Sequence, residues 1–243
     1  MNSIEFDQLE IDAVIIDLDG TMVDTLDDFC VALNGMLGDL PVPFSDVQVD
    51  RALVGTMVGK GSENLINSVL SHINRAQEAI NSRADVLEED EQASLYSLAW
   101  PSYQRHYLAV NGQHADVYPG VVPGLQYFKA RGLKLACLTN KPTAFAVALL
   151  KAKNLDGYFS AVFGGDAFER KKPDPLPLLK TCEALGTSPA RTLMIGDSSN
   201  DAQAARAAGC PVLLVTYGYN HGQPVRSVDA DGFMDSMQQL VPV

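Results

Sequence analysis

Two aspartates, Asp17 and Asp19, stand two positions apart at the end of the apolar run Val14-Ile15-Ile16, and Gly20 and Thr21 follow them. In extended chain such a pair leaves the same face, about 7 Å apart at Cα. Carboxylates so placed repel one another, and burying them unpaired is costly. A divalent cation relieves that cost, and hard Mg2+ takes such oxygen ligands. Gly20 lets the backbone turn and lets a ligand approach closely. Asp-Gly alone reads as a surface turn. Here it closes a β-branched run, and matching pieces lie downstream.

The second piece is Leu138-Thr139-Asn140-Lys141-Pro142. Thr139 and Asn140 offer a hydroxyl, an amide and backbone N–H groups between a strand and a helix, an arrangement that binds phosphate. The third is Arg170-Lys171-Lys172-Pro173, a basic run in an acidic chain. Lys172 precedes a proline, which biases it to extended geometry. A lysine there acts as a point charge on a phosphate; the sequence does not choose between Lys171 and Lys172. The fourth is Ile195-Gly196-Asp197-Ser198-Ser199-Asn200-Asp201. Asp197 can complete a Mg2+ shell. Asp201 can hold a metal-bound water, orient Lys172, or be an acid favoured by a helix N-terminus.

The elements that must position these groups follow from periodicity. Residues 1–12 read as a lead-in and 13–24 as the first strand and its loop. Leu26, Phe29, Leu33, Met36, Leu37 and Leu40 fall at helical spacing, ended near Pro41. Ser45 is expected to cap a second helix through Leu53 and Val54. The segment 55–61 is a glycine-rich break, with Lys60 between two glycines. A third helix opens at Ser62-Glu63, and a fourth runs from about Glu88 to Tyr107. No strand signal interrupts this block. From Tyr118 strand and helix alternate: a helix at Pro123-Gly124, strands at 133–138, Ala161–Phe163, 192–195 and Val212–Val215, helices at 143–153, 175–185 and 201–208, and a last helix near 233–240. Such alternation predicts an α/β fold, a doubly wound parallel, Rossmann-like core with an inserted α-helical cap. The core is expected over 1–24 and 108–243 and the cap over 25–107, with Thr25 and 108–118 as hinges. Ligands on such sheets bind outside the carboxyl ends of the strands, where the four pieces sit.

Composition narrows the class. The chain has 243 residues, 47% hydrophobic and 20% charged, with a net charge of -12. That charge argues against nucleic acid and anionic membranes as partners. No apolar run approaches the roughly 20 residues of a membrane span, and the acidic start is unlike a signal peptide. The four cysteines and four histidines are scattered. They read as reduced thiols and give no zinc spacing, so a cytoplasmic protein is expected.

Together Asp17-Leu18-Asp19-Gly20-Thr21, Thr139-Asn140, Lys172-Pro173 and Gly196-Asp197-Ser198-Ser199-Asn200-Asp201 resemble the four motifs of the haloacid dehalogenase-like hydrolases. Within that superfamily the stretches from Asp201 to Pro211 and Thr216-Tyr217-Gly218-Tyr219-Asn220 are similar to the bacterial phosphoglycolate phosphatase group. The resemblance implies a Mg2+-dependent phosphatase acting on a small phosphomonoester, 2-phosphoglycolate above all. It implies Asp17 as nucleophile through an aspartyl-phosphate, Asp19 as acid then base, and Mg2+ on Asp17, the Asp19 carbonyl and Asp197. Gly20, Thr21, Thr139, Asn140 and Lys172 would surround the phosphoryl group, Ser198 and Asp201 would support them, and Lys60 is the candidate specificity contact, with a solvated loop charge as its alternative. A monomer or homodimer fits. The rival readings are a sugar phosphomutase or broad sugar phosphatase, which share the motifs, and a phosphate- or Mg2+-binding module without activity. The presence of Asp19 disfavours a dehalogenase or a phosphonate hydrolase.

Overall fold

The computed structural model describes residues 10–81 and 89–242. Its first strand, β1 (Ala13–Ile16), is buried along its whole length. Alternate side chains leave opposite faces of a strand, so Val14 and Ile16 enter one core and Ala13 and Ile15 another. β1 is therefore a central strand covered on both sides, which explains its unbroken apolar character.

A two-residue strand, β2 (Val23–Asp24), leads into four helices, α1 (Leu26–Gly38), α2 (Arg51–Gly55), α3 (Ser62–Asn81) and α4 (Glu89–Val110). The chain returns through β3 (Asp116–Val117), antiparallel to β2. Then follow α5 (Val121–Ala130), β4 (Lys134–Leu138), α6 (Thr143–Ala152), β5 (Ala161–Phe163), α7 (Leu176–Leu185), β6 (Thr192–Gly196), α8 (Ser199–Ala208), β7 (Val212–Val215) and β8 (Gly232–Met234). The large sheet is parallel, in the order β5-β4-β1-β6-β7-β8. In chain order of its members this is 3-2-1-4-5-6, the doubly wound arrangement, and its order reverses between β1 and β6. α5 and α6 pack on one face, α7 and α8 on the other.

The helical block has its own core, in which Leu33, Met36, Ile66, Val69 and Tyr103 are buried together. Its entry and exit chains are tied by the β2–β3 ribbon, where Val23 faces Val117 and Asp24 faces Asp116. Both expected hinge regions border this ribbon. Asp28, fully buried on α1, accepts from the backbone N–H groups of Gly112 and His114. That joins the first helix of the block to its return segment.

The structure corrects two readings. Ser45 lies in a 3-10 turn (Phe44–Asp46), and α2 starts later with Asp50, whose carboxylate accepts from the N–H of Leu53. The segment near 233–240 is not a helix: Gly232–Met234 pairs parallel to β7, and a 3-10 turn (Met237–Leu240) follows. Three residues carry no readable period, and only the free edge of β7 makes them a strand. The ribbon was invisible for the same reason. Glu88, the expected start of the fourth helix, lies outside the described residues.

Candidate active site

Asp17 is the first residue after β1, Asp197 the first after β6, and Asp201 lies in the opening turn of α8. The neighbouring strands thus deliver two carboxylates to the point where the sheet order reverses. One oxygen from each of the three aspartates lies within 4.8 Å of the others. Burial, before the neighbouring carboxylates, pushes Asp17 up from 3.8 to about 7, against the pull of Lys172. Burial first, then Asp201 and Asp17, pushes Asp197 well above the ordinary carboxylate range. The Nζ of Lys172 is ion-paired with the buried Asp17 Oδ1 at 3.0 Å without meeting hydrogen-bond geometry. Crowded buried carboxylates of this kind are the donor set of a hard divalent cation. Asp17 and Asp197 fit as its ligands. Asp201 does so less well, because the Lys172 ammonium holds one of its oxygens and three donors crowd the other.

Those engagements explain Asp201. Its Oδ1 accepts from Lys172 Nζ at 2.7 Å, and its Oδ2 accepts from the hydroxyl and N–H of Ser198 at 2.8 and 3.1 Å. It is both the acid of the α8 capping box and the group that aims Lys172, so two of its three readings hold at once. Lys172 is the lysine of the pair that enters the site. It is 3% exposed and is also bonded to the carbonyl of Leu138 at 2.8 Å. Lys171 remains half-buried outside this network.

Gly20 turns the chain at φ +81, and a Cβ there would stand 2.2 Å from Asp197 Oδ2. Thr21 is fully buried and donates to Asp197 Oδ1 at 3.2 Å. Tyr219 donates its N–H to Asp197 Oδ2. Thr21 thus orients a carboxylate here. Gly196 is closed in likewise, since a Cβ would lie 2.3 Å from Asp201 Cγ.

Asp19 faces the helical block. Its Oδ1 accepts from Thr25 Oγ1 and from Lys141 Nζ, each at 2.8 Å. A cavity of about 30 Å³ opens between core and block, with Asp17, Asp19, Thr139 and Lys141 on the core side and Phe29 and Ser62 on the other. Thr139 is buried, and its hydroxyl accepts from the N–H of Lys141 at 3.2 Å. Asn140 also lines the cavity, but its Nδ2 donates to the carbonyls of Gly59 and Lys172. With Asn200, which bonds the same Gly59 carbonyl at 3.1 Å, it clasps the 55–61 loop to the core. Lys60 is exposed and outside the cavity lining, while Gly59 and Gly61 on either side line it. Positive φ at both glycines (116 and 90) turns the loop backbone, not the lysine, toward the site.

Lys141 is the residue that sequence reasoning missed. It stands beside Thr139 and Asn140 in the second piece. Its pairing depends on Asp19, 122 positions away, which no local pattern reports.

A reversal-point acid cluster with a buried lysine on a doubly wound sheet defines a class of anion-handling enzyme sites. The chain belongs to the haloacid dehalogenase-like hydrolase family, whose profile matches residues 11–209. It is 42% identical over 231 residues to the phosphoglycolate phosphatase of Thiobacillus denitrificans, covering 95% of this chain and 94% of that protein. It is 40% identical over 231 residues to that of Nitrosospira multiformis, with 95% and 94% covered. Among solved structures it resembles the crystal structure of a predicted phosphoglycolate phosphatase from Haemophilus somnus. The TM-score is 0.80 and the identity 31%, with 96% of this chain and 97% of that one covered.

Proposed function

We propose that this chain, a phosphoric monoester hydrolase, converts 2-phosphoglycolate to glycolate and phosphate through an aspartyl-phosphate on Asp17. The observation that carries the chemistry is the buried Asp17, which lines the cavity with its Oδ1 beside the Lys172 ammonium. The substrate rests on the similarity to phosphoglycolate phosphatases over nearly the full chain.

Asp17 attacks phosphorus, and the leaving glycolate oxygen takes a proton from Asp19. Asp19 then removes a proton from water, which attacks phosphorus; the bond to Asp17 breaks, the Asp17 carboxylate leaves and phosphate is released. Lys172 sets its ammonium beside the attacking oxygen and steadies the phosphoryl charge, aimed by Asp201. Thr139 supplies a further donor on the same wall. Asp17, Asp197 and the Asp19 carbonyl would hold Mg2+, which when bound neutralises phosphoryl charge. The helical block, 25–107, acts as the cap: clasped through Gly59, it keeps bulk water from the leaving group.

The test is phosphate release from 2-phosphoglycolate and from sugar phosphates, with and without Mg2+. Mg2+-dependent release chiefly from 2-phosphoglycolate is expected. Isomerisation of β-glucose 1-phosphate without phosphate release would replace this reading with the mutase.

A further inference from the structure

Lys141 is an ammonium in an enclosure built largely of carbon. Its side chain is 2% exposed, and its Nζ sits 4.6 Å from the ring centroid of Phe29 and 4.8 Å from that of Tyr107. Among the described residues its one oxygen partner is Asp19. An ammonium carries three donors, so this one keeps unused hydrogen-bonding capacity beside the cavity it lines. The hydroxyls of Tyr107 and Tyr103, stacked at 5.5 Å behind it, are buried without hydrogen-bond partners. Lys172 serves the nucleophile; nothing in the phosphoryl chemistry requires a second buried lysine on the far side of Asp19.

We infer that Lys141 reads a carboxylate on the leaving group, making it the specificity-determining residue of the site. This rests on the proposed phosphatase reading and adds to it the residue that recognises the acid end of 2-phosphoglycolate. The cavity is small, about 30 Å³, which favours a short leaving group. The lysine's position on its wall selects an anionic end over a neutral one. Nζ pairs with Asp19, and an incoming carboxylate shares that ammonium, so recognition and the acid–base residue meet at one atom.

The experiment compares kcat/KM for 2-phosphoglycolate and for ethyl phosphate, which has the same two-carbon length and no charge on the leaving group. Wild type is expected to favour 2-phosphoglycolate. Lys141→Met is expected to lower the ratio of the two by about 10- to 100-fold, the scale of a charge-assisted hydrogen bond, while Lys141→Arg retains most of it. Ser62→Asp sets a competing carboxylate on the opposite wall and suits the first turn of a helix, so it decides the matter if Lys141→Met does not fold. It too is expected to lower the ratio. Equal losses on both esters in Lys141→Met, or an unchanged ratio in Ser62→Asp, overturn the inference and leave the phosphatase reading standing. A wild type that does not discriminate overturns the substrate reading itself.

Discussion

Stripping divalent metal and raising the pH should destabilise this protein, because its buried acids resist ionisation. Burial raises Asp17 from 3.8 to about 7. A folded-state value above the unfolded one means that the folded state holds the proton more tightly. The stabilisation is complete below about pH 4 and is lost as the pH rises to about 7. From about pH 5 to about pH 7 the loss is about two units at 1.36 kcal/mol each, or about 3 kcal/mol. For a chain of this size that corresponds to about 5–10 °C in Tm. Asp197, raised in the same direction, adds to it. His221, lowered chiefly by burial, works oppositely below about its ordinary 6.5, so the comparison must be a difference. The assay is thermal unfolding of EDTA-treated wild type and Asp17→Asn across this range, repeated with Mg2+. Wild type should lose Tm relative to Asp17→Asn as the pH rises, and Mg2+ should remove most of the loss. A metal-free wild type whose Tm stays level or rises against the variant would refute the view of these acids as a cation site held under electrostatic strain.

Other substitutions test single contacts. Asp201→Asn deprives Lys172 of its 2.7 Å partner and should lower kcat by about 10- to 100-fold with KM little changed, in steady-state kinetics. Gly20→Ala would force a Cβ to 2.2 Å from Asp197 Oδ2; titration calorimetry should show Mg2+ affinity lost while circular dichroism stays near wild type. Asn200→Ala releases one of the two clasps on the Gly59 carbonyl. It should raise KM by about 2- to 10-fold, the scale of one hydrogen bond, with kcat falling less.

The parts of the site that the sequence revealed are those whose side chains sit at the ends of strong strands. β1 and β6 are apolar enough to be unmistakable, and Asp17 and Asp197 follow them directly. The cluster these acids form could be foreseen because one sheet order brings both strand ends together. Lys172 could not be separated from Lys171, since a pre-proline bias fixes backbone direction and not the partner, and the partner is Asp201. Lys60 looked like a specificity contact from its glycine neighbours. Those glycines direct backbone inward and leave its side chain in solvent. The amide nitrogen of Asn140, a candidate phosphate donor from the sequence, meets Gly59, 81 positions away, and the carbonyl of Lys172. Lys141 and the β2–β3 ribbon were hidden because long-range pairing makes them, with no periodicity to announce it.

The central claim is that Asp17 is the nucleophile of a Mg2+-dependent 2-phosphoglycolate phosphatase. The most direct measurement is phosphate release from 2-phosphoglycolate by wild type and Asp17→Asn, each with and without Mg2+, beside β-glucose 1-phosphate and a phosphonoaldehyde. The account predicts release that needs Mg2+, is strongest on 2-phosphoglycolate and is abolished in Asp17→Asn. Undiminished release by Asp17→Asn would contradict it.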